Sequence, residues 1–167
     1  MTSGRALNTA VANCIAGFLR ETKEPGQLYA GYTFSYPVNQ TGIDKGALVE
    51  CTKALKAEDL IGKDVVEPLR AALSEAGVNN IRVVSLDNDT TGTEVARSYL
   101  DTSCIIAIIL GTGMNICMLA PVSWITKGCG EYAGEYMIVN MEAGGFNSGL
   151  AFTRYNDLLD TQSKHPG

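Results

Sequence analysis

Clustered positive charge is missing from this sequence. Its 13 lysines and arginines stand against 18 aspartates and glutamates, a formal charge of −5 at pH 7, and no run of Lys or Arg occurs anywhere. Nucleic-acid backbones are neutralised by cations gathered on one face, so no nucleic-acid partner is expected. Histidine is nearly absent too: His165, beside Pro166 close to the C-terminal end, stands alone. Ser-His-Asp and Cys-His chemistries need an imidazole held by its surroundings, and that class is set aside. Cys14, Cys51, Cys104, Cys117 and Cys129 form an odd set with irregular spacing and no CxxC pair. Neither a disulfide framework nor a zinc knuckle is signalled, and a reducing, cytoplasmic setting fits. Long apolar runs are lacking as well. The longest, "CIIAIIL" at 104–110, falls far short of the ~20 residues that span a bilayer. The start "MTSGRALNTAVANC" has no apolar core of a signal peptide. A soluble chain with no membrane span is the expectation.

What is present is ordinary globular material, 167 residues with 46% hydrophobic and 19% charged. That is enough for one domain, or for two lobes sharing a sheet. Leu7, Val11, Cys14, Ile15, Phe18 and Leu19 recur at helical spacing before Pro25 and Gly26 close the pattern. "QLYAGYTFSYPV" reads as a strand ending at Pro37, "VNQTGIDKG" as a loop and "ALVECTKALK" as a short helix. "DVVEPLRAALSEAG" predicts a helix with Pro68 in its first turn and Gly77 as its C-cap. "IRVVSL" is a strand that delivers "DNDTTGT" at its C-terminal end, and "TGTEVARSYL" is the following helix. "CIIAIIL" reads as a buried strand, "ICMLAPV" and "EYMIVNM" as further strands, the first two joined by the turn "GTGMN", and a helical tail follows. The alternation predicts an α/β fold.

Four short stretches carry polar chemistry. Asp89 lies where a strand opens into a helix, the place where open α/β sheets meet ligands. Local sequence favours a cap at Asp89 or Thr90; the competing reading is a general base with Asn88 beside it. Gly111 and Gly113 around Thr112 read as a tight hairpin turn, or as a turn whose N–H groups meet a phosphate. Thr52 and Lys53 pair a hydroxyl with an ammonium, and Glu142 ends a strand before two glycines. Singly, each has an ordinary structural explanation.

Taken in order, "TFSYPVNQTGIDKG", "CTK", "NDTTGT", "GTGMN", "MIVNMEAGGF" and "YNDLLDTQSKHPG" resemble the eukaryotic hexokinase family from about Ala6 to Gly167. The resemblance implies an actin-like, ribonuclease-H-like α/β fold, a mixed sheet flanked by helices in two lobes. Residues 1–87 would belong to the small, sugar-binding lobe and 88–167 to the first part of the large lobe. The family's upstream phosphate-binding and downstream adenosine-binding segments would lie outside this stretch. It further implies phosphorylation of the 6-hydroxyl of glucose or a related hexose by ATP, with Mg²⁺ carried on the ATP.

By matching positions, Ser35, Tyr36, Thr52, Lys53, Asn88, Asp89, Asn115 and Glu142 would contact the hexose. Asp89 and Lys53 would be catalytic, Asp89 as the base, and Lys53, Thr112 and Gly113 would meet ATP. Asp87 is left incidental. The family pattern reads Trp-Thr-Lys-Gly-Phe where this chain has Cys51-Thr52-Lys53-Ala54-Leu55; Ala143 replaces a large aromatic and Thr91 a valine. The polar contact residues survive these changes. Two other readings stand beside the kinase: a non-catalytic sugar-binding or regulatory protein, and a piece whose apolar sheet edges self-associate. Weak or absent turnover is expected of these residues alone.

Overall fold

The computed structural model describes residues 3–52, 57–111, 113–127, 132–146, 148–149 and 151–163. Helix α1 spans Gly4–Thr22, where Ser3 accepts the Ala6 N–H at 3.1 Å as N-cap. It ends at Lys23, in the left-handed region at φ 53°, whose N–H returns to the Leu19 carbonyl. Gly4, Asn8, Ala12 and Ala16 form its buried stripe at i, i+4 spacing. These small residues bring the helix close: a Cβ on Gly4 would fall 2.3 Å from Leu60 Cγ. Strand β1 is Leu28–Thr33, and β2 (Val38–Gly42) and β3 (Lys45–Leu48) form an antiparallel hairpin. Helix α2 (Glu67–Glu75) packs against α1 and leads through Gly77, at φ 76°, into β4 (Ile81–Asp87).

Strands β1 and β4 pair in parallel, Leu28 opposite Ile81 and Thr33 opposite Asp87, with a register shift between Ala30 and Gly31. A parallel pair needs a crossover, and the segment containing the hairpin and α2 supplies it. Helix α3 (Asp89–Ser98) follows after one residue, Asn88. Strands β5 (Ile106–Leu110), β6 (Met114–Pro121) and β7 (Tyr136–Asn140) make an antiparallel sheet in the order β5-β6-β7, and α4 is Arg154–Thr161. The molecule is α/β as expected, with its described strands in three sheets flanked by helices. Among the described residues no helix is long and apolar enough to cross a membrane.

The main core is one cluster drawn from α1, β3, α2 and β4, with Ala12, Val65 and Val66 fully shielded and Leu48, Leu69, Val83 and Leu86 nearly so. Burial of such side chains stabilises by ~1.5–3 kcal/mol each. A second contact layer joins α3 to the β5-β6-β7 sheet, where Thr90, Glu94 and Cys117 are buried. The Cys117 thiol lies 3.3 Å from both the Thr90 carbonyl and the Glu94 carboxylate. Burial pushes its pKa up to about 11, and the Glu94 hydrogen bond adds to this. It stays a protonated donor at neutral pH and pins the helix to the strand.

Two expectations are corrected. The stretch "VNQTGIDKG" is a hairpin rather than a loop: Val38 pairs with Leu48 and Gln40 with Gly46, and contacts distant in sequence seat the pair on the core. The Gln40 side-chain amide donates to the Leu86 carbonyl at 2.9 Å, and a Cβ on Gly46 would fall 2.5 Å from Val38 Cγ1 and 3.0 Å from Leu86 Cδ2. Only glycine admits that approach. Ala47 and Leu48 belong to β3 instead of opening a helix, residues 49–52 are irregular, and 53–56 lie outside the described residues.

Arg70 fastens this hairpin to the core. Its guanidinium bonds the Asp44 carboxylate, donates to the Val83 carbonyl at 2.8 Å, and reaches Glu67 at 2.6 Å. The Arg70 hydrogen bond holds the Asp44 carboxyl below its ordinary pKa. A depressed carboxyl stabilises the fold above the unfolded-state pKa, and the contribution is lost as pH falls through the folded-state value. Asp44→Asn is therefore expected to lower the urea midpoint at pH 7 and to flatten its decline between about pH 5 and pH 3. An unchanged acid limb would show that this ion pair contributes nothing to it.

Candidate active site

The end of β4 sets the geometry. The Asp87 carbonyl accepts the Phe34 N–H at 2.8 Å, continuing the parallel ladder by one bond beyond β1. Asn88 is extended (φ −84°, ψ 149°), and its Oδ1 accepts the Thr90 N–H at 2.9 Å. The N-cap is thus Asn88 and not Asp89 or Thr90, because the residue with strand-like torsions is the one whose side chain can reach back to the first turn. Asp89 is the first helical residue, half-buried, with its carboxylate 3.3 Å from the Thr90 hydroxyl. Negative charge is favoured at that helix end. Asp87 is not incidental: Oδ1 accepts the Asn88 N–H at 2.9 Å and also bonds the Thr91 hydroxyl.

A cavity of about 210 Å³ opens beside this junction. Asp87, Asn88 and Thr91 line one side, Phe34, Tyr36, Val38 and Gln40 another, and Ile138 and Asn140 of β7 a third. The Phe34 ring packs between Tyr32 and Tyr36, with centroids 5.6 and 5.3 Å away. Desolvation, with Cys51 nearby, raises the Tyr36 pKa, so its phenol keeps its proton and can donate. Asn140 links the cavity to the next strand: Asn115 Nδ2 donates to Asn140 Oδ1, and Asn140 Nδ2 donates to Glu142 Oε1, both at 2.8 Å. Asn115 Oδ1 in turn accepts the N–H groups of Ile116 and Ala143.

Glu142 occupies the left-handed region at φ 48° and ψ 43°, uncommon for a residue with a side chain. The strain is held by the Ala143 bond to Asn115 and by Gly144 pressed against β6, where a Cβ would fall 2.3 Å from the Met114 carbonyl oxygen.

Of the residues singled out in the sequence, the structure gathers Tyr36 and Asn88 on the cavity wall and ties Asn115 and Glu142 to that wall through Asn140. Ser35, half-buried beside Tyr36, and Asp89, beside Asn88, do not line the cavity itself. Thr52 is exposed, and Lys53 and Thr112 lie outside the described residues. Gly113 sits in the β5–β6 turn, its carbonyl accepting the Gly111 N–H at 2.8 Å, with open space where a Cβ would be. Asp87, Thr91, Gln40 and Asn140 were not anticipated. Asn140 stands two residues before Glu142 inside a stretch already marked, while the role of Gln40 depends on a hairpin that the sequence hid.

Two family models described as hexokinase match the chain, one over residues 1–99 and the other over 105–167. Hexokinase-1 of Oryza sativa subsp. japonica is 41% identical over 165 residues, covering 94% of this chain and 33% of that protein. Hexokinase-3 of Homo sapiens is 36% identical over 170 residues, covering 99% of this chain and 18% of that one. Among solved structures, a hexokinase from Schistosoma mansoni complexed with glucose superposes with a TM-score of 0.82 at 29% identity, over 98% of this chain and 38% of that one. The chain spans a third or less of the length of these two curated relatives.

Gly144→Ala tests whether the Glu142 turn depends on this close packing. Overpacking of this kind costs ~1–3 kcal/mol, so thermal unfolding should shift down by several degrees. An unchanged midpoint would mean that the turn moves freely.

Proposed function

The chain belongs to the hexokinase family, and on that premise we propose that it carries the sugar-binding and proton-accepting part of an ATP-dependent hexose 6-kinase. The observation that supports this most is the single cavity shared by Tyr36, Asn88 and Asn140, with Asn115 and Glu142 hydrogen-bonded behind it. A hexose is covered in hydroxyls, and selecting one takes paired donors and acceptors, because a wrong partner leaves buried groups unpaired. The Tyr36 phenol and the Asn88 amide supply donors, while the Asn140 and Glu142 oxygens supply acceptors. Ser35, Thr52 and Lys53 complete the proposed hexose contacts.

Phosphoryl transfer requires positioning, charge stabilisation and a group that takes the hydroxyl proton. Asp89 is the proposed base, one residue from the Asn88 cap that fixes the start of α3. Its carboxylate would move next to the sugar 6-hydroxyl as residues 1–87 and 88–167, the proposed small-lobe and large-lobe parts, close on the sugar. Closure would also keep water from taking the phosphoryl group. Lys53, Thr112 and Gly113 are the proposed ATP contacts. The proposed contact at Gly113 is supported by the open space around it, where a Cβ would meet nothing within 4 Å. Mg²⁺ carried on the ATP would neutralise charge between phosphate oxygens. The proposed setting is cytoplasmic.

The test is glucose 6-phosphate formation with ATP·Mg²⁺, measured on residues 1–167 alone and on a full-length hexokinase into which these residues are grafted. Turnover is expected to be weak for the former. In the active form Asp89→Asn should lower kcat by ~10²–10⁴ while glucose still binds. Retention of the rate by that variant would remove Asp89 as the base.

A further inference from the structure

Asp87 is the last residue of β4 and lines the cavity between strand and helix. Its carboxylate oxygen Oδ1 takes the Asn88 N–H at 2.9 Å and the Thr91 hydroxyl, while its backbone carbonyl takes the Phe34 N–H at 2.8 Å. One residue therefore binds the turn from both sides. The other oxygen, Oδ2, lies over Gly92, where a Cβ would come within 3.2 Å. Gly92 leaves room for the carboxylate at this helix end. The Thr91 hydroxyl is also 3.1 Å from the Asn88 carbonyl, and the Gly92 N–H bonds that same carbonyl at 2.8 Å. The turn that carries Asn88 and Asp89 is thus clasped from below by Asp87 and Thr91 and capped from within by Asn88 itself.

A solvated strand-end carboxylate would make no such set of bonds. We infer that Asp87 is a positioning residue: acting through Thr91 and the Asn88 amide, it fixes the β4–α3 turn so that Asn88 is held toward a hexose in the cavity. Its effect on sugar rests on the hexose reading above, whereas its hold on the turn does not. Asn at position 87 keeps an oxygen able to accept both bonds, Ala keeps none, and Val at position 91 removes the hydroxyl partner alone.

The experiment measures amide hydrogen exchange at Asn88, Thr90 and Gly92, with Val83 as a core reference, and glucose binding by calorimetry, in wild type, D87A, D87N and T91V. D87A is expected to speed exchange at the three turn amides by at least about tenfold relative to Val83 and to weaken glucose by about tenfold. D87N should restore both toward wild type, and T91V should fall between them. Should D87A fail to fold, the D87N and T91V pair carries the same comparison.

Turn amides within about twofold of wild type in D87A or T91V would overturn the inference, as would faster exchange with glucose affinity unchanged, which would make Asp87 merely structural. If the turn loosens as expected while wild type itself binds no glucose, the hold on the turn stands and the hexose reading falls.

Discussion

The hydrogen bonding at the end of β4 governs the rest of the site. Within two residues the backbone leaves a parallel ladder, whose last carbonyl, on Asp87, is bound by Phe34, and enters a helix whose first turn is capped by Asn88. A strand end and a helix start both leave backbone groups without regular partners, and unpaired buried groups cost free energy. Here the side chains of Asp87, Asn88 and Thr91 satisfy them locally. The same bonds that stop the fold from fraying also fix the two residues proposed to meet sugar and proton.

Around that junction the structure is held from two directions. On one side Arg70 ties the β2–β3 hairpin to β4 and α2, so that Gln40 and Val38 form a wall of the cavity. On the other, the Cys117 thiol anchors α3 to β6 through Thr90 and Glu94, and β7 brings Asn140 up to face Asn88. Asn140 connects two otherwise separate polar side chains, since one amide both accepts from Asn115 and donates to Glu142. An oxygen and an NH₂ on a single side chain let one residue serve both partners.

The departures from the hexokinase pattern acquire local physical content. Thr91, in place of a valine, supplies the hydroxyl that Asp87 accepts. At position 143 the bond to Asn115 comes from the backbone N–H, which any residue but proline would supply, and the next residue, Gly144, seats the turn on β6.

The sequence by itself determined the elements whose causes are local. The helix over Leu7 to Leu19, the turn around Gly111 and Gly113, and a strand at 106–110 within the apolar run 104–110 all form, but Cys14 and Phe18 are exposed and so are Ile106, Ile108 and Leu110, where a docked face and a buried strand were expected. Ordered motifs also carried the family, because spacing between chemically distinct residues survives loss of similarity elsewhere. Only the tertiary structure decided the hairpin at 38–48, which depends on Gly46 meeting Leu86 and on Arg70 meeting Asp44. It alone moved the cap to Asn88 and gave Asp87 its partners, since torsions and not residue type choose among neighbouring Asp, Asn and Thr. Asn140 joined the site for the same reason: nothing in its neighbours along the chain indicates that β7 will face the end of β4. Contacts made across long loops leave no periodic trace in sequence, and the cavity is built from such contacts.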